Sequence, residues 1–376
     1  MNAAPMRFFF VAALLITMSS NSLASKYFLY VGTYGKGVYA YRLDSNSPTK
    51  LEPLGLSGDV TNPSFLTADP QFRYLYAVSE LEGNVDGAVA AFSIDRKTGA
   101  LHFLNSASSN GVAPCHLAVD HTAKLLAVAN YGTGGVAVFP IQGEGHLGSM
   151  SELLTAKGSS VNPKRQEGPH AHEVVISADN RFAYVPDLGL DEIRLYRVDP
   201  ENAKLAPNDP PFVKTEAGSG PRHLAFSPDG KYAYVIHELE SFITVFEHNS
   251  VNGDLRPVQK VSTLPAGFKG ENAPAEVAID KAGKFVYASN RGPGTIAVFA
   301  VNRGDGKLSQ IQVAETGGTF PRAFEFDPTG RFLLVGDQKA NWFVIFSIDP
   351  TTGKLTLTRD KFEVSSPVSF LFVPAE

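Results

Sequence analysis

The stretch Pro221-Arg222-His223-Leu224-Ala225-Phe226-Ser227, Pro228-Asp229-Gly230, Lys231-Tyr232-Ala233-Tyr234-Val235-Ile236 reads as strand, tight turn, strand. Its arms are rich in β-formers, and Pro-Asp-Gly is turn chemistry. The turn recurs as Asp or Ser, three turn residues, Lys or Arg, then usually an aromatic residue. The anchors are Asp69, Asp120, Ser177, Ser227, Asp280 and Asp327, spaced 51, 57, 50, 53 and 47 residues apart. A period near 50 built from short strands marks a repeat architecture.

A second hairpin is interleaved with the first. Ile94-Asp95-Arg96-Lys97-Thr98-Gly99-Ala100-Leu101 and Ile348-Asp349-Pro350-Thr351-Thr352-Gly353-Lys354-Leu355 are clear copies. Looser ones start near Leu43, Ile141, Val198, Val251 and Val301. That makes seven hairpins but six anchored turns. Four strands per repeat, A to D, would form one propeller blade. The chain starts on strand B of the first blade, Tyr27 to Tyr34. The missing strand A is supplied by Ser366-Pro367-Val368-Ser369-Phe370-Leu371-Phe372-Val373, which mirrors Asn62-Pro63-Ser64-Phe65-Leu66. The expectation is an all-β, seven-bladed β-propeller with four antiparallel strands per blade, its ring closed by the C-terminal strand joining the N-terminal blade. It forms a single domain over residues 25–376. No Trp-Asp signature is present, and the longest insertion, Lys157 to Gly168, reads as a polar surface loop.

Arg7 precedes an apolar run from Phe8 to Met18, too short to span a bilayer, and Ser22-Leu23-Ala24 suits cleavage after Ala24. Residues 1–24 read as a signal peptide and the mature protein as periplasmic or secreted, with no membrane span. The 376 residues are 43% hydrophobic with a net charge of −5, so no basic field invites nucleic acid. A single cysteine, Cys115, excludes an internal disulfide.

In a propeller, strand A lines the central channel, and its start lies beside the end of antiparallel strand B. Five residues before each anchor the sequence reads Ser64, Cys115, His172, Arg222, Ala275 and Arg322. Eleven after it stand Glu80, Tyr131, Leu188, Glu238, Arg291 and Gln338, with Tyr34 equivalent in the first blade. The residue before each of these is mostly polar, including His237 and Asn290. These positions should converge on one channel mouth. Three arginines there suit a carboxylate or phosphate, and Glu238, Glu80 and the histidines suit acid–base work. The bland alternative is a polar hub whose charges only satisfy one another. His170-Ala171-His172 could pair on a metal, but no third ligand is identifiable, so no metal and no cofactor is expected. Cys115 shows no adjacent activating base and reads as an inert thiol.

Several segments carry a resemblance: Tyr30-Val31-Gly32-Thr33-Tyr34, Pro114-Cys115-His116-Leu117, Ala129-Asn130-Tyr131-Gly132, Gly168-Pro169-His170-Ala171-His172, Asp187-Leu188-Gly189, Gly220-Pro221-Arg222-His223-Leu224, Ser289-Asn290-Arg291-Gly292 and Phe320-Pro321-Arg322-Ala323-Phe324. Together they resemble the lactonase family of seven-bladed propellers, which includes propeller-type 6-phosphogluconolactonases and fungal carboxymuconate-lactonising enzymes. The resemblance implies a His, two Arg and a Glu at the channel mouth. By motif these fall on His172 or His170, Arg222, Arg291 and Glu238. His237 before the Glu, and Pro293-Gly294 after Ser-Asn-Arg-Gly, depart from the family pattern.

The function expected is hydrolysis of a sugar lactone, with a small-molecule lactone or anionic sugar acid as partner. His172 is the first choice of base and Glu238 the second, while Arg222 or Arg291 stabilises the oxyanion. His170, Arg322, Glu80, His237, Asn290 and Tyr131 are expected to bind substrate. Export favours an unphosphorylated lactone. The rivals are a muconate-type lactonising enzyme and a non-enzymatic propeller binding carbohydrate or protein. A redox propeller is disfavoured by the lack of a Cys-x-x-Cys-His motif.

Overall fold

The structure, a computed structural model, describes Met1, residues 26–47, 50–81, 83 and 85–376. Apart from Met1, the expected signal peptide lies outside the described residues. The rest forms seven four-stranded antiparallel sheets, each a meander of adjacent strands. Six blades are consecutive in sequence. In the seventh sheet the C-terminal strand Pro367–Pro374 pairs with Lys26–Thr33, in register from Tyr27↔Pro374 to Thr33↔Pro367. The ring is closed as expected. Blades are numbered here from that sheet, so Pro367–Pro374 is strand A of blade 1.

The repeated anchors hold the A–B turns with their side chains. One Asp327 carboxylate oxygen accepts from the backbone N–H groups of Arg331 and Phe332, and Asp69, Asp120 and Asp280 do the same in their blades. Ser227 accepts from Tyr232 N–H in the same way. An Asp or Ser in that slot satisfies backbone donors that a two-strand turn leaves open.

The second hairpin has a different task. The buried phenol of Tyr30 in blade 1 donates to the carbonyl of Gly99 in the blade 2 hairpin. Tyr76, Tyr184, Tyr234 and Tyr287 reach Gly145, Gly253, Gly306 and Gly353 of their next blades likewise. Gly99 and Gly353 sit at φ 81° and 70°, where a side chain would strain the turn. Between blades the apolar faces interlock: Tyr76 and Val78 of blade 2 pack with Leu126 and Val128 of blade 3. Each fully buried side chain of this size contributes about 1.5–3 kcal/mol, so the seams are the main cohesive element.

Strand A is where the fold aims its chemistry. In Pro221–Phe226, Pro221 pairs with His237 and His223 with Ile236, leaving Arg222 as an extra residue. The same bulge isolates Cys115 between Pro114 and His116, and Arg322 between Pro321 and Ala323. In blade 6 it takes in Ala275 and Glu276. Blade 4 has Ala171 in the proline slot: Ala171 bridges Asp187, and His172 follows. A bulge re-aims side chains that a regular strand would send to alternate faces.

Candidate active site

The bulged residues and the ends of strand B surround a cavity of about 400 Å³ at one mouth of the channel. Tyr34, Glu80, Tyr131, Glu238 and Arg291 line it from B-strand ends, and Cys115, His172 and Arg322 from strand A. Arg222 and Ser64 do not line it directly but touch its two carboxylates.

Glu238 is the electrostatic centre. Arg165 Nη2 reaches its Oε1 at 2.7 Å; Arg291 Nη2 and Arg222 Nε reach its Oε2 at 2.7 and 3.1 Å. Burial raises the Glu238 pKa, but Arg291, Arg222 and Arg165 together outweigh it and hold the carboxyl far below the usual range. A carboxylate so stabilised is a poor proton acceptor. Its effect is to fix three guanidinium groups. Arg222 is also anchored on the Ala275 carbonyl at 2.5 Å, and Arg291 on the carbonyls of Ala273 and Pro274 at 2.7 and 3.2 Å. Burial lowers the Arg291 pKa to about 10, leaving it charged at neutral pH.

His172 is buried, and its Nδ1 lies 3.8 Å from the Cys115 sulfur. Burial, then Arg222 and His223, push its pKa well below the ordinary value, so the imidazole is neutral. A histidine does therefore stand beside Cys115, contrary to expectation. Burial nevertheless drives the thiol pKa well up, and the thiol donates to the His172 carbonyl at 3.2 Å. No thiolate nucleophile results.

Across the cavity, the Tyr34 hydroxyl lies 2.8 Å from both oxygens of Glu80, and Ser64 donates to Oε2. Arg322 donates to Tyr34 at 2.8 Å, and its guanidinium lies over the Tyr34 ring at 5.0 Å.

The structure thus brings together His172, Glu238, Arg222, Arg291, Arg322, Glu80 and Tyr131. Three expected substrate contacts are placed elsewhere. His170 stacks on Tyr131 at 4.7 Å, bonds the Tyr131 carbonyl through Nδ1, and does not line the cavity, so the two histidines of His-Ala-His do not share a site. His237 lies between Ser219 and Thr244, each 2.9 Å away, and stacks on Phe242. Asn290 bonds Thr263, Thr295 and Asn272. Side chains alternate along a strand. Because Glu238 and Arg291 face the channel, the residues before them face the loops and secure them.

Arg165 was not anticipated. It lies in the insertion 157–168, expected to be only a surface loop, and donates to Glu238 and, at 3.2 Å, to the Tyr131 hydroxyl. D-to-A connections end where strand A begins, so a basic residue in the longest of them was a readable signal.

Residues 28–372 match the family described as lactonase, 7-bladed beta-propeller. The 6-phosphogluconolactonase of Bacillus subtilis (strain 168) is 36% identical over 362 residues, covering 93% of this chain and 99% of that protein. A 6-phosphogluconolactonase of Formosa agariphila is 33% identical, covering 87% and 94%. The structure of the Pseudomonas aeruginosa periplasmic gluconolactonase superposes with a TM-score of 0.86 at 34% identity, covering 94% of this chain and all of that one. With its closed seven-bladed ring and matching sequence along nearly its whole length, this chain belongs to the lactonase family of seven-bladed β-propellers.

Proposed function

We propose that the chain hydrolyses a sugar lactone at the channel mouth, with His172 as general base. The observation that carries the reading is the pairing, on one cavity, of a neutral imidazole with three guanidinium groups fixed around an ionised glutamate. Water attacks the lactone carbonyl carbon and gives its proton to His172. The carbonyl oxygen becomes an oxyanion, opposite which Arg291 supplies positive charge. As the intermediate collapses, the ring C–O bond breaks and the imidazolium returns the proton to the departing oxygen, leaving a hydroxy acid. Glu238 orients the arginines and takes no proton. The relatives named 6-phosphogluconolactonase and periplasmic gluconolactonase support the reaction class.

Residues 1–24 act as a signal peptide in this reading, and the mature protein works in the periplasm or outside the cell. The periplasmic gluconolactonase among the structural neighbours supports that placement. An exported enzyme favours an unphosphorylated lactone. The test is acid release by the chain from Ser25 onward, on lactones with and without phosphate, beside Arg222→Ala. Turnover lost in the variant supports the reading. Folded protein with no turnover on any lactone overturns it in favour of a binding propeller.

A further inference from the structure

The two carboxylates of the cavity are held in opposite ways. Glu238 is matched by three guanidinium groups. Glu80 is also buried, at 6% exposure, yet among the described residues no cation forms an ion pair with it. Its partners are neutral hydroxyls, Tyr34 on both oxygens and Ser64 on one. Arg322 makes no ion pair with it and bonds the Tyr34 hydroxyl instead, its charge acting on Glu80 from beyond that hydroxyl. Burial, above all, raises the Tyr34 pKa, and Glu80 adds to it, so the phenol stays protonated and remains a donor.

A carboxylate has about four acceptor positions. Tyr34 and Ser64 fix the Glu80 plane without filling that capacity or cancelling its charge. What faces the cavity is a rigid, negatively charged acceptor. A phosphate or carboxylate placed there would be repelled, and an alkyl ring would leave the charge unpaired at a cost. An O–H group fits, and a hydrogen bond to an ionised acceptor is roughly twice as strong as a neutral one.

We propose that Glu80, positioned by Tyr34 and Ser64, is the specificity-determining residue of the site and accepts hydroxyl groups of a polyhydroxylated lactone. This rests on the lactonase reading and deepens it. The bound lactone is oriented with its carbonyl towards Arg291 and His172 and its ring hydroxyls towards Glu80. Sites built to bond a substrate hydroxyl strongly reject the analogue that lacks it. Unhydroxylated diacid lactones of the muconate type are therefore poor substrates.

The experiment compares kcat/KM for D-glucono-δ-lactone and δ-valerolactone at pH 6, corrected for uncatalysed opening, in the mature protein, Glu80→Gln and Tyr34→Phe. Glu80→Gln is isosteric, and Tyr34→Phe serves should it fail to fold. The polyol-to-alkyl selectivity ratio is expected to collapse about 10²-fold, as for loss of a hydrogen bond to a charged group. An unchanged ratio, whether both rates fall together or neither does, overturns the proposal and leaves the lactonase reading standing. Should the wild type open neither lactone, calorimetric binding of D-glucono-δ-lactam against δ-valerolactam decides the same ratio. A polyol preference lost in Glu80→Gln then upholds the subsite while the lactonase reading falls; no preference in the wild type overturns the subsite.

Discussion

At the channel mouth Glu238 lies against Arg165, Arg222 and Arg291; one residue further along the inner strands, Glu173 and Glu276 lie against His116 and His223. His223 Nδ1 is 3.0 Å from Glu276 and 3.7 Å from Glu173, and His116 Nε2 is 3.5 Å from Glu173. The carboxyls of both regions are largely buried, yet their acid–base character is opposite. At the mouth the arginines overcome desolvation and keep the acid ionised. Among Glu173, Glu276, His116 and His223, which form the neck below the mouth, desolvation wins. Burial raises Glu276 to about 7 and Glu173 well above its ordinary value, and it holds both histidines neutral. Burial alone does not decide the state of a carboxyl; the formal charge of its nearest partner does.

The comparison is broken or sharpened most by changing the mouth. His172→Gln should lower kcat by about 10²–10⁴-fold, the range for loss of a general base. Arg291→Ala should cost about 10²–10³-fold in kcat if the guanidinium faces the oxyanion. Steady-state kinetics on a turned-over lactone reads both, and full activity in either variant removes that residue from the mechanism. Arg165 is half exposed and held by one edge, so Arg165→Ala should give only a roughly tenfold rise in KM, as for a charge-assisted bond of modest strength.

The acid limb of activity should sit low. His172 is neutral at pH values well below 6.5 because burial and Arg222 disfavour its charged form. The kcat/KM profile should therefore stay flat as pH falls from 8 to 6.5 and decline only below. A limb centred near 6.5 or higher would contradict the burial argument.

The neck should register in stability rather than rate. Glu276 keeps its proton up to about pH 7 in the fold but would release it near 4.5 when unfolded. The folded state binds more protons across that window, so Glu276's contribution to stability is full below 4.5 and is lost as pH rises through 7. His116 and His223 act with the opposite sign, losing stability as pH falls below 6.5. Glu276→Gln should therefore gain a few °C in Tm over the wild type between pH 5 and pH 8. His223, Glu173 and Arg222 face this carboxyl and must stay unchanged in the comparison. Smallest in rate, Asn290→Ala should lower stability by about 1–3 kcal/mol through its lost loop bonds and shift kcat/KM by less than about twofold.

Most of the fold was legible because its signals are local and chemical. The Asp or Ser anchors bond their own turns, and seven hairpins against six anchors implied a ring closed by the C-terminal strand. Much of the rim was legible through spacing: His172, Arg322, Glu238 and Arg291 line the cavity to which the alignment on anchors pointed, and Arg222 lies behind it against Glu238. His237 and Asn290 were misplaced because adjacent strand residues face opposite ways. The neck was missed for the converse reason. The bulge turns Arg222 and His223 both inward, and a bulge depends on pairing between strands rather than on local sequence. Arg165 escaped because the insertion reads only as a surface loop, although its place just before an inner strand marks the end of the ring it crosses.

The most direct test of the mouth as a lactonase site is acid release from D-glucono-δ-lactone by the chain from Ser25 onward and by its His172→Gln variant, at pH 6 with matched folding. The account predicts turnover in the wild type and a loss of at least about 10² in the variant. Equal rates in the two proteins, or no turnover by folded wild type on this or any other lactone, would contradict it.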